Sequence, residues 1–220
     1  MTVPITLCIM IASGWERPET PVPQADRLDL LLRSIFVNTY GERIPHASII
    51  HVFDDYSLNV YAQEKCKEVC KKYGVEYHLK PAPWTGPSGN YNHAVDLVRT
   101  EFVAMLGDDQ FCTPGWWDYM LYYLENNPDL NWGMLGWSVI WSETLIELGY
   151  LVDRRQFYLN SEILWNINLS NLPEAAFDKH ICNWDRPRKR GACVGTAFVI
   201  KKSLWKQFKG FHEEIYAFDE

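Results

Sequence analysis

Phe102-Val-Ala-Met-Leu-Gly-Asp-Asp-Gln110 joins an unbroken apolar run to two adjacent carboxylates. A short continuous apolar run bounded by a glycine reads as a strand buried on both faces, the kind found in parallel sheets covered by helices. Asp108 and Asp109 then stand where that strand ends, the edge at which ligands bind in open α/β sheets. Neighbouring carboxylates repel each other unless a cation lies beside them. A hard divalent cation that also carries phosphate oxygens suits such a pair. The plain alternative is a solvated acidic turn, and the surrounding chain decides between the two.

Outward from this stretch, apolar and helical segments alternate. Ile5 to Ala12 reads as a strand, followed by a Pro-rich loop over 13–23 and a helix carrying Leu28, Leu31, Leu32, Ile35 and Phe36 on one face. Ser48 to Phe53 is a second strand ending in Asp54-Asp55-Tyr-Ser57. A helix with Ala62, Cys66, Val69, Cys70 and Tyr73 inward follows, stopped by Gly74. Val75 to Leu79 is a short alternating strand. Ser88 is expected to cap a helix that turns Tyr91, Ala94, Val95 and Val98 inward. Beyond Asp109, Thr113-Pro114 is expected to open a helix packed through Trp117, Met120, Leu121 and Leu124. Trp132 to Trp141 is strand-like, 142–191 shows no clear periodicity, and Ala192 to Ile200 is a strand before a short helix through Leu204, Trp205 and Phe208. The order β-α-β-α-β-α-β-α with right-handed crossovers implies a mostly parallel sheet between helical layers.

Composition narrows the function. The chain has 220 residues, 47% hydrophobic and 22% charged, enough for one sizeable α/β domain. Its net charge of −7 disfavours general binding to nucleic acid or anionic membranes, which calls for a basic face. No apolar run reaches membrane-spanning length and no signal-peptide pattern opens the chain, so the expected location is cytoplasmic. The six cysteines, Cys8, Cys66, Cys70, Cys112, Cys182 and Cys193, include no Cys-x-x-Cys and read as buried free thiols. Aromatic residues reach 15%, and Trp84, Trp116 and Trp117 are candidate platforms for sugar rings; Trp117, at core spacing, fits packing better and Trp84, in a Pro-rich loop, fits the platform better.

Asp54-Asp55 and Asp108-Asp109 each follow an apolar strand of the same sheet, so both pairs belong to one edge. Together they make an acidic crevice suited to a metal-bound nucleotide diphosphate. Here the chain resembles the family-2 glycosyltransferases of the GT-A fold. The resemblance rests on Asp54-Asp55-Tyr-Ser57, Gly89-Asn-Tyr-Asn-His-Ala94, Gly107-Asp-Asp109, Pro114-Gly-Trp-Trp117, Gly195-Thr-Ala-Phe198 and Gly210-Phe-His-Glu213. It covers residues 3–130 and 192–220.

The resemblance implies a single GT-A-like domain over 1–220, a three-layer α/β/α sandwich with a mostly parallel central sheet. Residues 1–130 would bind the nucleotide sugar, and 131–220, with an irregular lobe at about 142–191, would face the acceptor. Asp55 would accept a hydrogen bond from the donor's base, a uracil N3–H, with Asp54 beside it. Ala12 and Ser13 would edge the base, and Asn92 would belong to the donor site. Asp108 would meet the ribose or the metal, and Asp109 would ligate Mn²⁺ or Mg²⁺ bridging the diphosphate. An inverting displacement needs a carboxylate to take the acceptor hydroxyl's proton. Asp219 and Glu220 stand near the family's position for it, with Glu213 and Glu214 as substitutes. His212 replaces the family's aspartate in its turn and is a candidate third metal ligand, while Gly14-Trp15 departs from the usual polar pair after the first strand.

The expected activity is therefore a metal-dependent, inverting transfer of a sugar from a UDP-linked donor to a hydroxyl acceptor on a glycan, a lipid-linked carrier or a small molecule. A catalytically silent nucleotide-sugar or carbohydrate binder is the alternative from another class. A nucleotidyltransferase shares the sheet logic but needs a Gly-rich phosphate loop, for which only Gly14 is present. Arg186-Pro-Arg-Lys-Arg190 reads as a solvated loop, or as a basic loop closing on an anion.

Overall fold

The computed structural model describes residues 3–13, 22–37, 43–55, 59–83, 85–113, 115–127, 134–136, 142–152 and 197–211. Strand β1 (Ile5–Ile11) leads to helix α1 (Gln24–Val37), then β2 (Ile50–Asp54), α2 (Val60–Tyr73) and β3 (Glu76–Leu79). Helix α3 (Gly86–Leu97) precedes β4 (Phe102–Gly107), and α4 (Trp116–Asn126) precedes β5 (Met134–Gly136) and α5 (Ser142–Glu147). The described chain closes with β6 (Ala197–Lys201) and α6 (Lys202–Phe208).

The six strands form one sheet in the order β3-β2-β1-β4-β6-β5. β1 pairs in parallel with β2 and β4, and β2 with β3. β6 runs antiparallel to both β4 and β5. The sheet is thus mostly parallel, with β6 the one reversed strand among the described residues. The order turns back at β1, since β2 and β3 lie on one side of it and β4 on the other. That is a topological switch point, where a crevice opens beyond the strands' carboxyl ends.

Alternation within the apolar runs explains the layers, because successive strand residues face opposite sides. Ile5, Leu7, Ile9 and Ile11 of β1 join Ala104 and Leu106 of β4 in a core beneath α1, α2 and α4. Cys8 and Met10 join Val103 and Met105 in a second core beneath α3 and α6, which contribute Tyr91, Ala94, Val95 and Trp205. Both faces of these strands are covered, as the unbroken apolar run implies. The described cysteines, Cys8, Cys66, Cys70 and Cys112, are buried free thiols.

Three boundaries differ from the sequence expectation by more than one residue. β2 begins at Ile50 rather than Ser48, because Ala47–Ile49 form a 3-10 turn whose Ser48 amide donates to the His46 side chain. α3 begins at Gly86 with Thr85 as its cap, so Ser88 lies inside the helix and Pro87 occupies the first turn. α4 begins at Trp116, after Gly115 adopts φ of 81°, a left-handed conformation open to glycine. Trp116 and Trp117 are both buried in the core under α4, so neither forms an exposed sugar platform. Trp84 and the run Arg186–Arg190 lie outside the described residues, as do Cys182, Cys193 and most of the 142–191 lobe.

Leu7 is fully buried whereas Tyr61 on α2 is 74% exposed. Leu7→Ala is expected to lower unfolding free energy by about 2–5 kcal/mol, and Tyr61→Ala by no more than about 0.5 kcal/mol. Urea denaturation of the two variants checks this, and equal losses would contradict the two-faced core.

Candidate functional site

Parallel pairing brings the strand ends level. Ile11 stands opposite Asp54 on β2, and Met10 stands opposite Gly107 on β4. The two acidic pairs therefore flank the end of β1 on either side. Their side chains do different things.

Asp54 is fully buried. Its Oδ1 accepts from the Ser13 amide at 2.9 Å and its Oδ2 accepts from the Tyr77 hydroxyl at 2.5 Å. Burial raises the Asp54 carboxyl above the ordinary aspartate range, while hydrogen bonds from Ser13 and Tyr77 pull it back. The carboxylate thus fixes the peptide that follows β1 and does not reach into the crevice. Asp55 is also buried, and its amide donates to Ile11 O at 3.0 Å, which continues the β1–β2 ladder by one step.

Asp108 begins the turn after β4. Its Oδ2 accepts from Arg27 Nε at 2.7 Å and from Gln24 Nε2 at 2.5 Å. Arg27 also donates through Nη2 to Gln24 Oε1 at 2.6 Å, so the three side chains close a triangle. Gln24 and Arg27 occupy the first turn of α1. Burial pushes the Asp108 carboxyl up to about 6; the Arg27 guanidinium opposes that shift and the adjacent Asp109 adds to it. Asp109 itself is exposed and makes no hydrogen bond or ion pair to the described residues. The turn is closed by the Gly107 amide donating to Gln110 Oε1 at 3.3 Å.

Helix α3 supplies the third side of the crevice. Asn90 is buried, and its Nδ2 donates to Ile11 O at 3.3 Å and Phe53 O at 3.0 Å, tying β1 to β2 just where their ladder ends. Its Oδ1 is buried with no hydrogen-bond partner among the described residues. Glycine at position 89 leaves room for the cap residue of the same helix: a Cβ there would lie 1.6 Å from Thr85 Oγ1. Asn92, expected at the donor, is committed elsewhere. Its Nδ2 donates to Phe211 O at 2.9 Å while its Oδ1 accepts from Phe211 N at 2.9 Å. Asn92 therefore clips Gly210-Phe211 to α3, and Phe211 packs edge-on against Trp205 and Tyr91. Gly210 is needed at this clip, since a Cβ would lie 2.2 Å from Asn92 Oδ1 and its φ is 71°.

The structure thus brings together Ala12, Ser13, Asp54, Asp55, Asp108 and Asp109 at one sheet edge. His212, Glu213, Asp219 and Glu220, together with Gly14-Trp15, lie outside the described residues. Sequence reasoning missed Gln24, Arg27 and Asn90. The first two looked like ordinary polar positions of an amphipathic helix, and only their place in its first turn hinted at the strand ends. Asn90 stood in the string Gly89-Asn-Tyr-Asn92 with nothing to set it apart from Asn92.

Comparison with known proteins agrees with this architecture. The family profile described as glycosyl transferase family 2 matches residues 47–204. The chain belongs to glycosyl transferase family 2, an enzyme family. Among solved structures, it is similar to S. aureus TarS residues 1–349 in complex with UDP, with a TM-score of 0.55 and 12% identity over 95% of this chain and 51% of that one. It is also similar to the mannosyltransferase PcManGT of Pyrobaculum calidifontis in complex with GDP-Man and Mn2+, with a TM-score of 0.52 and 14% identity over 97% of this chain and 49% of that one. The fold is GT-A, and the chain spans about half the length of these two structures. Comparison with curated proteins gave no significant match. Among the described residues, no helix is long and apolar enough to cross a membrane.

The clamp on Asp108 has a signed pH consequence. A carboxyl whose folded pKa lies above the usual 3.8 favours the fold while protonated, and that contribution is lost as pH rises through about 6. Removing the guanidinium raises the folded value further. Arg27→Met is therefore expected to lose more stability, relative to the parent, at pH 8 than at pH 5. Denaturation at both pH values checks this, and an equal loss would show that Arg27 acts only through packing.

Proposed function

We propose that the protein transfers a sugar from a UDP-linked donor to an acceptor hydroxyl with inversion, and that Asp109 and Asp108 hold Mn²⁺ or Mg²⁺. The observation that carries this reading is the division of labour at the end of β4. Asp108 Oδ2 is clamped by Arg27 and Gln24, whereas Asp108 Oδ1 and the exposed Asp109 carboxylate have no hydrogen bond to the described residues. Carboxylate oxygens are the hard donors that such ions take alongside substrate phosphate and water, so the residues fit the group. The UDP complex and the GDP-Man and Mn2+ complex of the two similar structures support a nucleotide-linked donor and a divalent ion. When bound, the ion would offset the charge that grows on the departing diphosphate.

The chain's own groups then divide the remaining tasks. Arg27 and Gln24 hold Asp108 in one orientation, which reduces reorganisation at the moment of bond cleavage. Asp54 fixes the Ser13 peptide, so that Ala12 and Ser13 edge the base, and Asp55 accepts its N3–H. On the acceptor side, Asn92 anchors the turn at Gly210-Phe211. The general base that takes the hydroxyl proton is assigned to Glu213, Asp219 or Glu220 beyond that turn, and His212 to an auxiliary metal contact.

Release of nucleoside diphosphate from a panel of UDP- and GDP-sugars, with and without Mn²⁺, tests the activity. Asp109→Asn is expected to cut metal-dependent release by about a hundredfold or more while leaving the melting temperature unchanged. Full turnover in that variant would remove the metal role from Asp109. Absence of release with every donor would favour a binding role for the domain.

A further inference from the structure

Away from the crevice, three metal-ligating side chains meet on the α3-side face of the β2–β3 pair. His51 Nδ1 and His78 Nε2 share a hydrogen bond at 2.9 Å. Glu76 Oε2 lies 3.5 Å from His51 Nδ1, and Glu76 Oε1 lies 3.6 Å from His78 Nε2. The parallel register explains the meeting. His51 stands opposite Glu76, and His78, two residues on, returns to the same face. Phe53 holds the rings: it is fully buried, and His78 stacks on it at 4.7 Å and 14°. His51 stacks in turn on His78 at 5.1 Å and 12°.

We propose that His51, Glu76 and His78 form a second metal site, selective for a Zn²⁺-class ion and separate from the acidic pair at the crevice. Zn–N and Zn–O bonds of about 2.1 Å at tetrahedral angles place ligand atoms about 3.4 Å apart. The observed separations of 2.9, 3.5 and 3.6 Å bracket that value, so ligation needs only small shifts. Two imidazoles and one carboxylate suit zinc, whereas the all-carboxylate pair at Asp108 and Asp109 suits manganese or magnesium. The Glu76 side chain is 64% exposed, against 21% for His51 and 19% for His78. The carboxylate thus forms the open side, through which an ion and a completing water can enter. His51 lies three residues before Asp54, about 10 Å along β2 from the crevice. An ion here would cross-link β3 to β2, its one neighbour among the described strands, and brace an edge that is held there by one short ladder.

The test uses the full chain after treatment with EDTA, titrated with ZnCl₂ by calorimetry and followed by thermal unfolding. CoCl₂ serves as an optical probe of coordination. The expected result is a zinc equivalent that raises the melting temperature by roughly 5–10 °C at about hundredfold excess over its Kd. Glu76→Gln and His78→Asn should each weaken that equivalent at least tenfold and remove the visible cobalt bands, while Asp109→Asn leaves both intact. Glu76→Gln, at an exposed position, keeps the test independent of any folding defect in the histidine variant. Zinc binding of equal affinity in the parent and both variants would place the ion elsewhere and overturn the proposal. Absence of a zinc equivalent in the parent would overturn it equally, leaving a hydrogen-bonded imidazole pair.

Discussion

The carboxyl end of β1 is the constraint on which the rest of the molecule depends. The strand is buried on both faces and flanked on both edges, so the peptide groups at its end have little water to turn to. Leaving such groups unpaired costs about as much as a lost hydrogen bond each. The fold answers from three directions. Ile11 O receives the Asp55 amide and the Asn90 side chain, and the Ser13 amide is taken by Asp54. Satisfying the end of one strand thereby places an acidic residue of β2 and an asparagine of α3 around the head of the crevice.

The same logic separates the two acidic pairs into different roles. Ionised carboxylates at the ends of buried strands are costly unless a partner stabilises the charge. Asp54 has neutral donors and is wholly enclosed, which makes it a structural group. Asp108 has the Arg27 guanidinium on one oxygen and leaves the other open. Asp109, exposed, needs no internal partner. One edge therefore holds a buried, a half-committed and a free carboxylate, a gradation suited to positioning a cation at one point and not across the whole crevice.

Helix α3 links the two sides of this edge. Asn90 ties it to the ends of β1 and β2, and Asn92, two residues on, clips Gly210-Phe211. The second contact depends on glycine at 210, where a side chain would collide with Asn92. A helix bonded at both points couples the position of the strand ends to that of Gly210-Phe211.

Much of the architecture was legible in the chain. The apolar runs at 5–11 and 102–107, the helical spacing between them and the glycine at 74 determine the strands, the helices and the two-faced core, because burial periodicity is a local property of sequence. The placement of two acidic pairs at one edge follows from the same pattern, as does the likeness to glycosyl transferase family 2. The roles of the individual carboxylates did not follow. Asp54 and Asp108 are equivalent in sequence, each an aspartate after an apolar strand, and only their neighbours distinguish them: Ser13 and Tyr77 for one, Gln24 and Arg27 for the other. Asn90 and Asn92 were likewise interchangeable in the string Gly-Asn-Tyr-Asn. Those partners lie from 23 to 119 positions away in the chain. Sequence specifies which residues are available, while the sheet order and its crossovers decide which of them meet, because hydrogen bonds and charge pairing act only over a few ångströms of space.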